Sequence, residues 1–210
     1  MRLKTFFAPV IIICLMMSVA YAETLQDRLT NLVVLPLHYG TNSFEVNGQA
    51  VLITKGDFNT ETASGGDAYT VMVHENENGK PDDWKMVRYE GSPSSQKILT
   101  ITAPHTGEDS IMSVRFMVSK DSPNGTASDL YLLKAEKIFP PKMKSLVGDN
   151  EVIFTLYKLW RSDDFGIFYF HQLMQNRSKT KYCNVDWVMF KELGVLLPDN
   201  SGQYECVTAQ

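Results

Sequence analysis

The chain has 210 residues, of which 44% are hydrophobic and 21% charged, and its formal net charge is −4. That length can bury a sizeable core in one domain or two small ones. The mildly acidic balance, with no dominant basic patch, argues against nucleic acid or an anionic membrane surface as a partner.

The first residues read as an export signal and not as part of the fold. Arg2 and Lys4 give a positive start, Phe6 to Val19 is almost all apolar, and Ala20-Tyr21-Ala22 has the small-x-small pattern that signal peptidase reads. Cleavage is expected between Ala22 and Glu23. A transmembrane anchor fits less well, because the apolar run falls short of the roughly 20 residues a bilayer needs. Ile13 before Cys14 argues against lipidation. Removal of residues 1–22 leaves 188 residues and, with two basic residues lost, moves the net charge from −4 to −6. The expected location is the periplasm, with secretion as the alternative. Two cysteines then remain, Cys183 and Cys206. In an exported chain such a pair reads as one disulfide closing about 22 intervening residues, worth around 3 kcal/mol in the chain-entropy account. Two free buried thiols are the other reading.

Taken in order, the mature chain starts with Thr24 as a cap, Asp27 in the first turn, and Leu25, Leu29, Leu32 and Val33 on one face. This predicts a short helix ended by Pro36. From there to about residue 140 the texture is β. Asn47-Gly48 between Phe44–Val46 and Gln49–Ile53 is a hairpin signal. Asn59 to Asp67, polar and glycine-rich, predicts a loop. Strands are expected at 69–73, 84–89, 98–101 and 130–135, separated by turns at 75–83, 91–95 and 122–125. Pro140-Pro141 marks a boundary, since adjacent prolines cannot continue a ladder. Beyond it, 151–160 and 167–173 form a hairpin rich in aromatic residues. Cys183–Gly194 predicts a helix with Asn184 as N-cap and Gly194 at its end. The expected organisation is a β-rich region over 23–139, and over 140–210 an aromatic hairpin plus a disulfide-pinned C-terminal helix, in one domain or two. The fold class is mainly β: an antiparallel β-sandwich or barrel-like sheets with short N- and C-terminal helices.

Enzyme motifs fail one by one. Ser94-x-x-Lys97 and Ser178-x-x-Lys181 match the pattern of a serine acyl acceptor with its lysine. Both fall in loops, however, and the accompanying Ser-Asp-Asn and Lys-Thr-Gly are missing. His38, His74, His105 and His171 lack any His-x-His or His-Glu-x-x-His spacing. Two cysteines without neighbouring histidines do not make a zinc site. The acidic pairs Asp82-Asp83, Glu108-Asp109 and Asp163-Asp164 sit in turns without EF-hand spacing. No cofactor, metal or catalytic residue is expected. The Asn124 and Asn176 sequons matter only in a glycosylating pathway, and the signal sequence looks bacterial.

The stretch His105–Val118 runs from an acidic turn into a strand. Met112, Val114, Phe116 and Val118 face one way, and Ser113, Arg115 and Met117 the other. Arg115 must reach either water or a carboxylate. Glu108 and Asp109 are near in sequence, so the three residues form either a latch between turn and strand or a place for an anionic ligand, since arginine is the preferred fork for carboxylates.

Two segments carry a resemblance. Gly107-Glu108-Asp109-Ser110-Ile111-Met112-Ser113-Val114-Arg115-Phe116 resembles a segment of the periplasmic carbapenem intrinsic-resistance proteins, the CarG-like family. Tyr182-Cys183-Asn184-Val185-Asp186-Trp187, with Leu193-Gly194-Val195 and Leu197-Pro198, resembles that family's C-terminal segment. The resemblance implies a non-hydrolytic periplasmic protein that protects a cell against a carbapenem; a β-lactam, a cell-wall component or a wall enzyme is the expected partner on this reading. It implies no residue-level mechanism and leaves a homodimer open. Two other readings remain: an exported protein-binding module of the immunity or inhibitor kind, and a cell-wall enzyme of unrecognised type.

Overall fold

The computed structural model describes residues 23–59, 64–75, 83–89, 100–106, 109–120, 128–139, 148–164 and 166–195, with Thr106 and Asp109 described by backbone alone. Helix α1 (Leu25–Thr30) starts on a capping box: the Thr24 hydroxyl accepts from the Asp27 backbone N–H, and the Asp27 carboxylate accepts from the Thr24 backbone N–H. It ends short of the expected Pro36. Leu32–Val34 is instead a strand, β1, paired with Ser119, Val118 and Met117. Leu32 and Val33 fit helical spacing, yet two consecutive β-branched valines suit a ladder better than a helix.

Strands β2 (Gly40–Val46) and β3 (Gln49–Asn59) form the expected hairpin. Asn47 at φ 50° and Gly48 at φ 74° supply the two left-handed residues that a tight hairpin turn requires. Strand β4 (Ser64–His74) corrects the loop expected over 59–67, because its ladder with β3 runs from Val51↔Val73 to Asn59↔Gly65. The glycines there serve close approach and not a loop. A Cβ on Gly66 would lie 2.4 Å from the Ala103 carbonyl oxygen.

The single strand expected over 84–89 is two. In β5 (Trp84–Met86) the chain pairs with β4. At buried Val87, whose N–H donates to the Val71 carbonyl at 2.8 Å, it crosses to the other sheet as β6 (Arg88–Tyr89). There follow β7 (Thr100–Thr106), β8 (Asp109–Ser110), β9 (Met112–Ser119), β10 (Leu130–Lys137), β11 (Val152–Ser162), β12 (Ile167–Arg177) and helix α2 (Val185–Leu193). Helix α2 has the predicted ends: Asn184 accepts from the Trp187 N–H, and Gly194 closes it at φ 68°.

One sheet runs β1-β9-β10-β11-β12-β6 and the other β2-β3-β4-β7-β8, with β5 on β4. Every ladder is antiparallel except β12 with β6. This is the expected β-sandwich with short helices, and it is not closed into a barrel. Residues on either side of Pro140-Pro141 share the first sheet, with β10 and β11 pairing from Tyr131↔Lys158 to Lys137↔Val152; the two prolines lie outside the described residues.

The two sheets enclose one core, in which Val51, Ile53 and Val71 meet Phe116, Leu132 and Phe170. A second core lies on the far side of the first sheet. There Leu133, Ala135, Phe154 and Leu156 are covered by Leu25 and Leu29 of α1 and by Val185, Val188 and Met189 of α2. The middle of the first sheet is therefore buried on both faces, which explains the near-continuous burial of β10, whereas β12 is exposed from His171 onward apart from half-buried Met174.

Candidate functional site

Arg115 stands on β9 with the alternation expected, but both faces of that strand are covered. Val114 and Phe116 join the inter-sheet core, while Met117 and Leu133, the cross-strand partner of Arg115, join the core under the helices. A solvated face for Arg115 is thus excluded: its side chain is 14% exposed. Its carboxylate partner comes from far along the chain. Arg115 Nη2 lies 2.5 Å from Asp186 Oδ1, in the first turn of α2. Its Nη1 donates to Ser113 Oγ at 2.8 Å and to the Val114 carbonyl at 2.9 Å. Ser113, also buried, donates in turn to Asp186 Oδ1. The triangle ties α2 to β9 through charge-assisted hydrogen bonds. It is a latch between β9 and α2, closed by Asp186; the turn-to-strand latch expected of Arg115 with Glu108 and Asp109 rests on side chains outside the described residues. Glu108 and the side chain of Asp109 lie outside the described residues, as do Ala22 and Cys206. Glu23 is described and pairs with Arg28 at 2.8 Å. Cys183, buried, immediately precedes the N-cap of α2.

A second polar cluster was not foreseen. On the core-facing side of β3 the sequence runs Val51, Ile53, Lys55, Asp57, so the apolar phase turns charged towards one end of the sandwich. There Asp67 of β4 gathers three donors: Tyr39 Oη at 2.8 Å, Tyr69 Oη at 3.0 Å and Lys55 Nζ at 3.0 Å. Lys55 also sits 4.5 Å from the centroid of the Tyr39 ring. Asp57 faces Asp67 directly across the ladder, and like charges so placed repel, which is why a lysine and two hydroxyls converge on Asp67. The hydrogen bond to Asp67, then burial and the charges of Asp67 and Asp57, push the Tyr39 hydroxyl up to about 12. Burial first, then Asp67, pushes Tyr69 up as well. Only the in-phase charges Lys55 and Asp57 could have signalled this cluster from sequence. Tyr39 and Asp67 reach it through tertiary structure.

A third pair, Glu75 with Arg161, joins the two sheets. Arg161 donates from Nε and Nη2 to Glu75 Oε1 at 3.1 and 2.7 Å, and Glu75 is buried. Among the described residues no group of three or more His, Cys, Asp or Glu could hold a metal ion, and no helix is long and apolar enough to cross a membrane.

These features define a β-sandwich, one sheet of which is covered by two helices, α2 being fastened to it by the Arg115–Asp186 ion pair. The solved structure of CarG has this fold: it superposes with a TM-score of 0.57 over 79% of this chain and 99% of the CarG chain, at 15% sequence identity. No protein-family model matches the chain, and no curated protein matches it. The likeness to CarG is one of fold.

Proposed function

We propose that the chain is an exported, non-hydrolytic protein that gives intrinsic resistance to a carbapenem by binding and protection. One observation supports this above the others. The two segments that resemble the carbapenem intrinsic-resistance proteins, 107–116 and 182–187, are far apart in sequence, yet Arg115 of one and Asp186 of the other form the ion pair that fastens α2 to the first sheet. The resemblance therefore follows a structural unit of the kind a shared fold would keep, and the fold likeness to CarG agrees with it.

In this reading the protein is made with a signal sequence cleaved after Ala22 and works in the periplasm, where a Cys183–Cys206 disulfide pins α2 to the chain end. Its partner is a β-lactam, a wall component or a wall enzyme, and no catalytic residue is assigned. Deletion of the gene is expected to raise carbapenem susceptibility, and complementation with the full chain to restore resistance. Unchanged susceptibility would sink the reading. Purified protein incubated with a carbapenem should leave the ring absorbance intact; catalytic loss of that absorbance would show an enzyme instead.

A further inference from the structure

The helices cover only part of the outer face of the first sheet. Leu156 of β11 and its register partner Met174 of β12 pack in the core beneath them. Further along the same face Lys158 pairs with His171, and beyond that Trp160 pairs with Tyr169. None of these four side chains belongs to the core under the helices, and Trp160 is 50% exposed. Three rings form one platform there: the His171 ring centre lies 6.4 Å from that of Trp160 and 6.2 Å from that of Tyr169, the latter edge-on.

The platform ends in a cation. Strand β6 pairs with β12 over two residues, Arg88 beside Tyr169 and Tyr89 beside Phe170. Tyr89 and Phe170 join the inter-sheet core, so Arg88 is turned to the outer face with Tyr169. The residues flanking Arg88 are anchored: the Val87 N–H donates to the Val71 carbonyl at 2.8 Å, and the Tyr89 hydroxyl donates to the Tyr157 hydroxyl at 3.0 Å. Among the described residues the other arginines each hold a carboxylate, in the pairs Arg28–Glu23, Arg115–Asp186, Arg161–Glu75 and Arg177–Glu151. Arg88, half-buried, holds none among the described residues. Lys158, the other cation of the platform, is answered by Asp129 at 2.8 Å.

One row therefore runs from an exposed indole, past Tyr169, to a guanidinium without a counter-charge, two strand spacings or about 10 Å away. A guanidinium is a planar fork that matches a carboxylate, and exposed aromatic rings favour a flat apolar body. A cation would meet repulsion from Arg88, and a neutral ring would leave the fork unused. We infer that Arg88 and the Trp160–Tyr169–His171 platform bind a small organic acid, a carboxylate carried on a flat apolar ring, with the carboxylate on Arg88 and the ring on the platform. The inference is independent of the carbapenem reading, since it uses no residue of the Arg115–Asp186 unit.

Isothermal titration calorimetry of the mature protein with 2-naphthoate, and with 2-naphthamide as its uncharged counterpart, tests it. Saturable binding of the acid is expected, with the amide weaker by at least about tenfold. Arg88→Gln should erase that preference, and Trp160→Ala should weaken the acid several-fold. Arg177→Gln removes the same charge from the exposed end of β12 and should leave the preference intact. Melting curves confirm that each variant folds, and the comparison of acid with amide on the unaltered protein needs no variant. The inference is overturned by any of three results: no saturable binding at millimolar acid, equal binding of acid and amide, or a preference for the acid that survives Arg88→Gln.

Discussion

The two sheets solve the same problem differently. The first buries both faces of its middle strands, one against the other sheet and one under α1 and α2, whereas the second, among the described residues, buries one face and leaves the other half-buried to exposed. Each also carries a cluster centred on one carboxylate. Asp186 sits on the covering helix, and Arg115 beneath it is largely enclosed. Asp67 sits at an end of the sandwich, where its partner Tyr39 is 60% exposed. Covered residues should therefore act on stability, and open ones on titration and binding.

The largest contrast is expected from apolar truncation. Phe154, 1% exposed under the helices, leaves a cavity when cut to alanine and should destabilise by about 3–5 kcal/mol. Met86, on the outer face of the second sheet and 42% exposed, should change stability by no more than about 0.5 kcal/mol when replaced by threonine. Chemical denaturation of the two variants measures the difference. Similar losses would mean that the outer face of the second sheet is covered in solution.

Next in size is the ion pair. Asp186→Ala leaves the Arg115 guanidinium without its counter-charge. Removing one partner of a fully enclosed pair costs about 3–5 kcal/mol. With 14% and 20% of the two side chains exposed, about 2–3 kcal/mol is expected here. Arg115→Met combined with Asp186→Leu should recover most of that loss, because the pair then becomes apolar contact beneath α2. If the double variant is as unstable as the single one, the pair is needed for more than mutual neutralisation. If Asp186→Ala is stable yet resistance is lost, Arg115 serves a ligand after all.

How far sequence could reach follows the same division. The strands of the sandwich were readable because their alternation is local, and both helices announced themselves through Thr24, Asn184 and Gly194. Three elements were hidden for identifiable reasons. Leu32–Val34 matches helical spacing and becomes a strand only because β9 offers an edge. Gly65 and Gly66 look like loop residues until Ala103 is seen against them. Trp84–Tyr89 alternates as one strand, and nothing local says that Val87 will cross between sheets. The polar site divides in the same way. Arg115 was conspicuous as a charge within an alternating strand, but its partner Asp186 lies 71 residues away, beyond any pattern of spacing, so nearby Glu108 and Asp109 drew the attention. Tyr39 and Asp67 had no local signal at all.

The smallest expected effect belongs to the open cluster and concerns pH. In the folded chain the Tyr39 hydroxyl, donating to Asp67 beside the charge of Asp57, ionises at about 12, whereas a tyrosine in the unfolded chain ionises near 10. The folded state thus holds a proton that the unfolded state has released. The stabilisation is fully present below about pH 10 and is lost as pH rises towards 12. Tyr69, raised by burial and the same carboxylate, pushes in the same direction. Ultraviolet titration of phenolate absorbance should show Tyr39 ionising late, and Asp67→Asn should bring it earlier by removing the charge while retaining a hydrogen-bond acceptor. Stability near neutral pH should change little, because Tyr39 is largely exposed and the pair is screened. Asp186→Asn, acting on the covered cluster, should leave the Tyr39 titration where it was. If it moves that titration instead, the two clusters are coupled through β9 and Tyr69, and the division between a covered, structural sheet and an open, responsive one fails.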